Sequence, residues 1–218
     1  MHSTLALFLG AASEETSLFE RFSPILILLV VVTFVIARLP RVDLGEHKHS
    51  SAFRSRRVMN WLPLGLTYAF LYMGRYNLTV SKGKFGEMLD SSGLPMMGNA
   101  DFGSIFGIGT VVYGLSFLIN GPLTDRLGGK FAILMGAGGA VVANLFMGLA
   151  TYSLLNHGWG YQAIANNFVL VFTVLYAMNM YFQSFGAVAI VKVNASWFHI
   201  RERGVFGAIF GILISLGV

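Results

Sequence analysis

The sequence predicts an all-α, multi-pass membrane protein. Of its 218 residues, 55% are hydrophobic and only 11% are charged, whereas a soluble domain carries roughly 25% charged residues. Residues 102–124 and 131–191 contain no Asp, Glu, Lys or Arg, and uncharged apolar runs of about 18 residues or more are candidates for membrane-spanning helices. The Lys and Arg residues also fall mostly on one of the two sides that alternating spans would create, as the positive-inside rule describes.

Six apolar segments define the predicted organisation of the chain. We expect an amino-terminal tail at 1–21, an additional transmembrane helix at 22–38, a basic linker at 39–59 and a helical bundle at 60–218. Within the bundle, the apolar segments lie at about 60–80, 102–123, 131–154, 166–191 and from Gly204 onward. The additional helix is uncharged between its flanking arginines, so we expect it to pack outside the core or to lie apart from it.

The last apolar segment has about 15 residues when the chain stops at Val218, and a span needs roughly 20. The simplest interpretation is a chain truncated in the fifth helix of the bundle. A natural short product and a half that pairs with another chain are the alternatives.

The charges predict an orientation. If the linker at 39–59 is cytoplasmic, eleven of the 15 Lys and Arg residues are cytoplasmic, and the amino terminus lies outside. Arg21, Lys82 and Lys84 then lie outside, and Arg75 lies within a span. The net charge of +5 is therefore explained by membrane topology, and we expect no nucleic-acid partner. Cysteine is absent and the five histidines fall in predicted termini or loops, so no metal site is predicted.

Small residues are abundant in the predicted spans. Gly103 and Gly107 are four residues apart, as are Gly207 and Gly211, and residues 136–140 are all Gly or Ala. Such spacing allows close approach of two helices. We expect these glycines to lie at helix contacts.

Arg75 is the one basic residue within a predicted span. An Arg inside the membrane costs roughly 2.5–3.5 kcal/mol on insertion scales, so it usually faces a partner or a watery cavity. Its guanidinium group stays charged and presents a planar fork that matches phosphate or carboxylate. The sequence therefore predicts an anion site, with snorkelling of Arg75 to the outer surface as the alternative.

The segment from Gly121 to Lys130 lies between two spans on the predicted cytoplasmic side. Its order, G-x-L-x-D-R-x-G-G-K, resembles the signature loop between the second and third helices of the major facilitator superfamily. The resemblance implies a cluster of charges at the helix ends that breaks and re-forms during transport. We expect Asp125 to pair with Lys192, or otherwise with Arg203. The residues assigned to this cluster are Gly121, Asp125, Arg126, Gly129, Lys130, Lys192 and Arg203.

Two further motifs resemble one branch of that superfamily, the organophosphate:phosphate antiporters. Trp197-Phe198 followed by Arg201-Glu202-Arg203-Gly204 is similar to the loop between their fourth and fifth helices, and the Y-x-x-R-x-N of residues 72–77 is similar to their first core helix. In that branch an Arg binds the phosphate of the substrate, and Gln183 resembles a Gln on the fourth helix. The resemblance, which covers about 61–218, implies a substrate site formed by Arg75, Gln183, Tyr72 and Asn77.

The chain departs from the glycerol-3-phosphate carriers at two positions. Phe117 and Ile214 stand where those proteins have a cavity Lys and a cavity His. The resemblance therefore supports an anionic substrate more strongly than glycerol 3-phosphate itself.

We expect a secondary active transporter in a bacterial inner membrane that exchanges a phosphate ester for phosphate by alternating access. Its partners would be membrane lipid, a small anionic solute and a carboxy-terminal half that this chain lacks. No cofactor is implied. A membrane sensor for a sugar phosphate on the same fold and a facilitator for a different organic anion are the alternatives. A membrane enzyme is disfavoured, because no pair of carboxylates or histidines falls within a span.

Overall fold

A computed structural model describes residues 50–90 and 92–215, together with Ser23, Leu26, Ile27, Val30 and Phe34. The chain divides into two compact units, 1–41 and 42–218, and the architecture below is that of the second. The predicted additional helix at 22–38 lies largely outside the described residues, as does the prediction that it packs outside the core.

Helix α1 spans Ser51–Glu87 and contains 37 residues. It begins within the segment that the sequence assigns to the basic linker. Ser50 caps it, because its Oγ accepts a hydrogen bond of 3.2 Å from the backbone N–H of Phe53 and so satisfies one of the free donors of the first turn. Lys84 lies in its last turn, where a positive charge suits the carboxyl end of a helix.

The signature segment is almost entirely helical rather than a loop. Helix α2 spans Asn99–Leu127 and helix α3 spans Gly129–Asn156, so Gly128 alone separates them. Gly128 has φ 89° and ψ 155°, a conformation that a residue without a Cβ adopts at little cost. Its N–H donates to the carbonyl of Thr124 at 2.9 Å, which closes the last turn of α2.

A turn at 157–160 follows α3. His157 follows α3 in the left-handed conformation, and Gly160 precedes the short helix α4, Tyr161–Asn166. Helix α5 then spans Phe168–Trp197. A single turn of 3₁₀ helix, Ile200–Glu202, leads into helix α6, Arg203–Ser215, close to the predicted start at Gly204.

Three of the described helices are long and apolar enough to cross a membrane by length and composition: α2, α3 and α5. Helix α1 also has sufficient length, although it carries several charged side chains. Apart from an isolated bridge between Leu89 and Pro95, every regular element of the described residues is helical. The chain is thus a multi-pass membrane protein with the architecture of a partial facilitator bundle.

Helix α5 is the centre of the bundle and packs most extensively against α3 and α2. The two larger apolar clusters of the bundle line its length. Apolar cluster 1 lies towards the α3–α4 turn and includes Leu78, Phe85, Ile105, Met147, Leu154, Phe172, Tyr176 and Met180. Apolar cluster 2 lies towards Gly128 and includes Leu64, Tyr68, Leu71, Ala140, Ile190, Phe198, Phe206 and Phe210.

The predicted close helix contacts occur at Gly136 and Gly139 of the small-residue run, where a Cβ would collide with α5. A Cβ placed on Gly103, Gly107, Gly207 or Gly211 would meet no atom within 4 Å among the described residues, so the prediction is wrong for those two pairs within this bundle. A Cβ on Gly136 would instead lie 2.9 Å from the backbone N of Gly186. The spacing of glycines shows where a helix could approach another, but it does not show which face of the helix is inside.

Candidate functional site

Arg75 lies at mid-height in the bundle. On α1 it stands between Leu71 of apolar cluster 2 and Leu78 of apolar cluster 1. It contacts Tyr113 and Gln183, which lie close to the midpoints of α2 and α5. The structure therefore places Arg75 far from the ends of the apolar helices that surround it, and the snorkelling alternative is not supported.

The guanidinium group of Arg75 is held between two aromatic rings. Its Cζ lies 4.5 Å from the ring centroid of Tyr72 and 4.4 Å from that of Tyr113. Cation–π contacts of this kind contribute about 0.5–2 kcal/mol each, with the larger value where water is excluded. Two aromatic rings therefore contact the guanidinium group and cover part of its surface.

The edge of the guanidinium group is partly occupied. Nε donates to Oε1 of Gln183 at 3.1 Å, while Nη2 is buried and has no hydrogen-bond partner among the described residues. A buried cationic donor without a partner is costly. Nη2 is therefore available to donate a hydrogen bond to an anion that reaches the site.

Gln183 is linked to further amides. Its Nε2 donates to Oδ1 of Asn179 at 3.0 Å, and the same oxygen accepts from Nδ2 of Asn144 at 3.1 Å. Asn179 and Gln183 are 0% and 1% exposed. We call Arg75, Asn144, Asn179 and Gln183 the polar layer. On all three helices it separates apolar cluster 1 from apolar cluster 2.

Of the four predicted substrate-site residues, the structure brings three together: Arg75, Gln183 and Tyr72. Asn77 lies on the side of α1 that faces α3, where its Nδ2 donates to Oδ1 of Asn144 at 3.0 Å. It lines a groove of about 340 Å³ between these two helices. Among the described residues, hydrogen bonds connect Asn77 to Arg75 through the three amides of the polar layer.

The sequence did not identify Tyr113, Asn144 or Asn179 as site residues. Amide side chains within uncharged spans were the available signal, because polar groups at membrane depth normally face a partner or a cavity. Tyr68, also missed, precedes Arg75 by two helical turns and so shares its face. Its hydroxyl lies 3.5 Å from that of Tyr113, which extends the aromatic contacts of the site towards apolar cluster 2.

The two departures from the glycerol-3-phosphate carriers lie on apolar surfaces. The ring of Phe117 makes an edge contact with that of Tyr113 at 4.9 Å, and Ile214 packs against apolar cluster 2. Neither position supplies a charge or a hydrogen-bonding side chain to the surroundings of Arg75.

A groove of about 460 Å³ extends from the Gly128 end of the bundle towards the site. Residues of α1, α5 and α6 line it: Tyr68, Ala187, Ile190, Val191, Asn194, Ala195, Phe198, Arg203, Phe206, Gly207, Phe210, Gly211 and Ile214. Arg203 lies at the start of α6, whereas Tyr68 contacts Tyr113 at mid-height. The groove therefore joins the end of the bundle to the aromatic contacts around Arg75.

The charge cluster at the Gly128 end forms as expected in one respect. Lys192 Nζ lies 2.8 Å from Oδ1 of Asp125, which confirms the predicted pairing of these two residues. The same ammonium donates to the carbonyl of Thr124 at 3.0 Å. Lys192 lies near the carboxyl end of α5 and therefore links that helix to the carboxyl end of α2.

Arg203, the alternative partner predicted for Asp125, instead binds backbone carbonyls. Its Nη2 donates to the carbonyl of Ala195 at 3.0 Å and its Nε to that of Phe198 at 3.4 Å. These carbonyls lie at the carboxyl end of α5, where cations satisfy free acceptors. Arg203 thus fixes the connection between α5 and α6.

The remaining members of the predicted charge cluster differ in their surroundings. Arg126 and Lys130 are exposed, and a Cβ on Gly121 would meet nothing within 4 Å among the described residues. A Cβ on Gly129 would collide with Val193. Of the two glycines of the predicted charge cluster, only Gly129 packs so closely against a neighbouring helix that a Cβ would not fit.

A second ion pair at this end was not predicted. Nη1 of Arg57 lies 2.9 Å from Oε2 of Glu202, and the guanidinium group also lies 4.7 Å from the ring centroid of Phe198. Both side chains are mostly buried, at 16% and 14% exposure. The pair joins the start of α1 to the turn before α6.

Several curated proteins are similar in sequence to about four fifths of this chain. The membrane sensor protein UhpC of Salmonella typhimurium is 24% identical over 172 residues, which cover 79% of this chain and 34% of that protein. The glycerol-3-phosphate transporter of Bacillus subtilis is 21% identical over 179 residues, covering 82% of this chain and 36% of the transporter.

The phosphoglycerate transporter protein of Salmonella typhimurium is 26% identical over 172 residues, covering 78% of this chain and 32% of that protein. The chain spans about a third of the length of these relatives. No family model matches the chain, and no solved structure matches it significantly. Over about four fifths of its length, the chain resembles the organophosphate:phosphate antiporter branch of the major facilitator superfamily, as its motifs predict.

Proposed function

We propose that this chain forms the anion-binding part of a secondary transporter for small phosphorylated organic solutes. Arg75 binds the phosphate group, and exchange for inorganic phosphate drives alternating access. The protein lies in a bacterial inner membrane, with the amino terminus outside and residues 39–59 in the cytoplasm. A second half, supplied by further sequence or by another chain, completes the cavity. The relatives support this proposal, since two of them are named as transporters of phosphorylated compounds.

The observation that carries the proposal is the environment of Arg75. The guanidinium group is positioned on three sides by Tyr72, Tyr113 and Gln183, yet Nη2 has no partner among the described residues. An arriving phosphate oxygen would accept from this nitrogen in a charge-assisted hydrogen bond, which is stronger than a bond between neutral groups. Because the surrounding side chains already hold the guanidinium group, little further ordering is needed on binding.

The groove between α1, α5 and α6 supports access of a solute to the site from the Gly128 end of the bundle. It joins the end of the bundle that carries the predicted cytoplasmic charges to the aromatic contacts at mid-height. Transporters of this kind bind substrate near the bilayer midplane and expose the site alternately to each side. The ion pair of Asp125 and Lys192 lies at the same end, where we propose that it breaks and re-forms with Arg126, Lys130 and Arg203 nearby.

The apolar surroundings of the site bear on its substrate. Phe117 and Ile214 are uncharged and make apolar contacts. We therefore propose that Arg75 is the cation that this part of the protein brings to the substrate. We propose that the rest of the solute contacts aromatic and aliphatic side chains in place of a second cation. This arrangement favours phosphate esters with a less polar body than glycerol.

Uptake by the intact protein tests the proposal. We expect vesicles loaded with phosphate to take up a radiolabelled phosphate ester when they contain the wild-type protein. Arg75→Lys keeps the positive charge but removes the fork, so we expect severe loss of binding and uptake with normal membrane insertion. Normal affinity of the Arg75→Lys variant for every phosphorylated solute would exclude Arg75 as the binding residue.

A membrane sensor is the second candidate function, because UhpC is named as one. A sensor would use the same site to bind the solute and would pass the change in shape to a partner. Binding that depends on Arg75, without uptake of the bound solute into vesicles, would favour this candidate over the transporter.

A further inference from the structure

The amides of the polar layer form one continuous chain of hydrogen bonds that ends at Arg75. It runs from Asn144 through Asn179 to Gln183 and links α3, α5 and α1. An amide side chain can be turned in either direction, with its oxygen or its nitrogen at a given place. The direction of this chain therefore decides whether Arg75 meets an acceptor or a donor.

Two backbone carbonyls determine that direction. Asn144 Nδ2 lies 2.9 Å from the carbonyl of Ala140, and Asn179 Nδ2 lies 3.5 Å from that of Gly74. A carbonyl can only accept, so each of these amides must turn its nitrogen towards the backbone. The Oδ1 atom of Asn179 is then left to face Asn144 and Gln183.

The orientation of Gln183 follows from that of Asn179. Because Oδ1 of Asn179 is an acceptor, the group of Gln183 that lies 3.0 Å away must be its NH₂. The carbonyl oxygen of Gln183 consequently faces Nε of Arg75, at 3.1 Å. With its amide reversed, Gln183 would bring an N–H group against a cation that can only donate.

We propose that Asn179 is a positioning residue of the Arg75 site. Its hydrogen bonds go to Gln183, Asn144 and the carbonyl of Gly74, and none is formed with the guanidinium group. By accepting from Gln183, it keeps the Gln183 oxygen on Nε, holds the guanidinium group against the rings of Tyr72 and Tyr113, and keeps Nη2 without a partner among the described residues, so that it can donate to the anion. The role in anion binding rests on the proposed function, whereas the role in holding Arg75 does not.

A double-mutant cycle in the intact protein tests this role. We expect Asn179→Leu and Gln183→Leu each to weaken binding of inorganic phosphate by about tenfold, the equivalent of one hydrogen bond. The double variant should bind no more weakly than Gln183→Leu alone, because Asn179 acts through Gln183. Losses that multiply in the double variant would overturn the proposal.

Asn120→Leu is the matched control. Asn120 is an amide of equal burial, at 0% exposure, and its Nδ2 donates to Ser184 at 2.6 Å rather than to the polar layer. We expect this variant to lose stability comparably to Asn179→Leu while phosphate affinity is retained. Equal losses of affinity in both variants would show a general structural effect and overturn the proposal.

Asn179→Asp supplies a readout that a packing role would not change. The carboxylate keeps an acceptor towards Gln183 but adds a negative charge near Arg75, so phosphate binding should weaken. Protonation of the carboxyl group removes that charge, and the ratio of wild-type to variant affinity should therefore fall as the pH is lowered. A ratio that does not change with pH would contradict the inferred position of Asn179 beside the cation.

A second measurement needs no ligand. Phenylglyoxal modifies arginine, and mass spectrometry of the peptide that contains Arg75 reports how readily its guanidinium group reacts. We expect Asn179→Leu and Gln183→Leu to speed this modification equally, and Asn120→Leu to leave it unchanged. If the wild-type protein binds no phosphate but this pattern appears, the proposed function fails and the positioning role stands. If Asn179→Leu labels no faster than wild type, the positioning role fails.

Discussion

The ammonium of Lys192 lies 2.8 Å from Oδ1 of Asp125 and 3.0 Å from the carbonyl of Thr124. One side chain of α5 therefore binds both a charge and a backbone acceptor at the end of α2. Asp125 is 75% exposed and Lys192 34% exposed. Exposed ion pairs of this kind contribute less than about 1 kcal/mol to stability, so the pair is better suited to switching between conformations than to holding the fold.

We predict that reversing either charge slows uptake and that exchanging the two charges restores it. Asp125→Lys and Lys192→Asp should each slow uptake by the intact protein, because like charges then face each other, while the thermal midpoint changes little. The double variant should recover most of the uptake. Lys84→Asp, in an exposed pair with Glu87, is the control. Additive losses in the double variant would contradict a pairwise role.

We predict that the ion pair of Arg57 and Glu202 stabilises the fold. Both side chains are mostly buried, and Glu202 also accepts from the backbone N–H of His199 at 3.1 Å. Glu202→Gln should therefore lower the free energy of unfolding by about 1.5–3 kcal/mol, the range for hydrogen bonds to charged groups. Thermal unfolding in detergent measures the change.

Glu87→Gln provides the comparison for this pair. Glu87 is 69% exposed and pairs with Lys84 at 2.9 Å, so its loss should leave the unfolding midpoint almost unchanged. Equal shifts for Glu202→Gln and Glu87→Gln would show that burial does not strengthen the pair of Arg57 and Glu202.

We predict opposite effects of alanine at two glycines of α3. In Gly136→Ala the new Cβ would lie 2.9 Å from the backbone N of Gly186 and 3.1 Å from the carbonyl of Phe182. Neither can move without separating α3 from α5, so stability should fall by about 1–3 kcal/mol. A fall in the unfolding midpoint measures this loss.

Gly138→Ala is the control for the packing prediction, since its Cβ meets nothing within 4 Å among the described residues. Alanine favours a helix over glycine by about 0.5–1 kcal/mol, so the variant should be as stable as wild type or more stable. A stable Gly136→Ala protein would show that α3 and α5 pack less closely than the structure indicates.

We predict that Tyr72 acts on the anion site through its ring and not its hydroxyl. Tyr72→Phe keeps the face on which Arg75 lies, so phosphate affinity should be retained. Tyr72→Leu removes a cation–π contact of about 1 kcal/mol, which corresponds to roughly fivefold weaker binding. Binding calorimetry on the intact protein checks both values. Tyr152→Leu, at a tyrosine that is 67% exposed on α3, should have no effect.

Several features of this protein were determined by the sequence alone, because they depend on composition or on one residue's chemistry. Long uncharged runs require helices in a membrane, since every backbone group must find a partner within its own segment. Gly128 between two helix-forming stretches permits the abrupt turn from α2 to α3. The resemblance of residues 121–130 to the signature loop, together with the assignment of Asp125 and Lys192 to the same side of the predicted spans, was enough to predict their pairing.

Only the tertiary structure decided which polar residues meet at mid-height. The motif placed Tyr72, Arg75 and Asn77 in one short stretch, but successive helical residues point about 100° apart, and packing turned Asn77 towards α3. Asn144 and Asn179 belong to helices whose rotation about their own axes no single sequence reveals. Close contacts such as that of Gly136 with Gly186 set those rotations, and with them the chain of amides that holds Arg75.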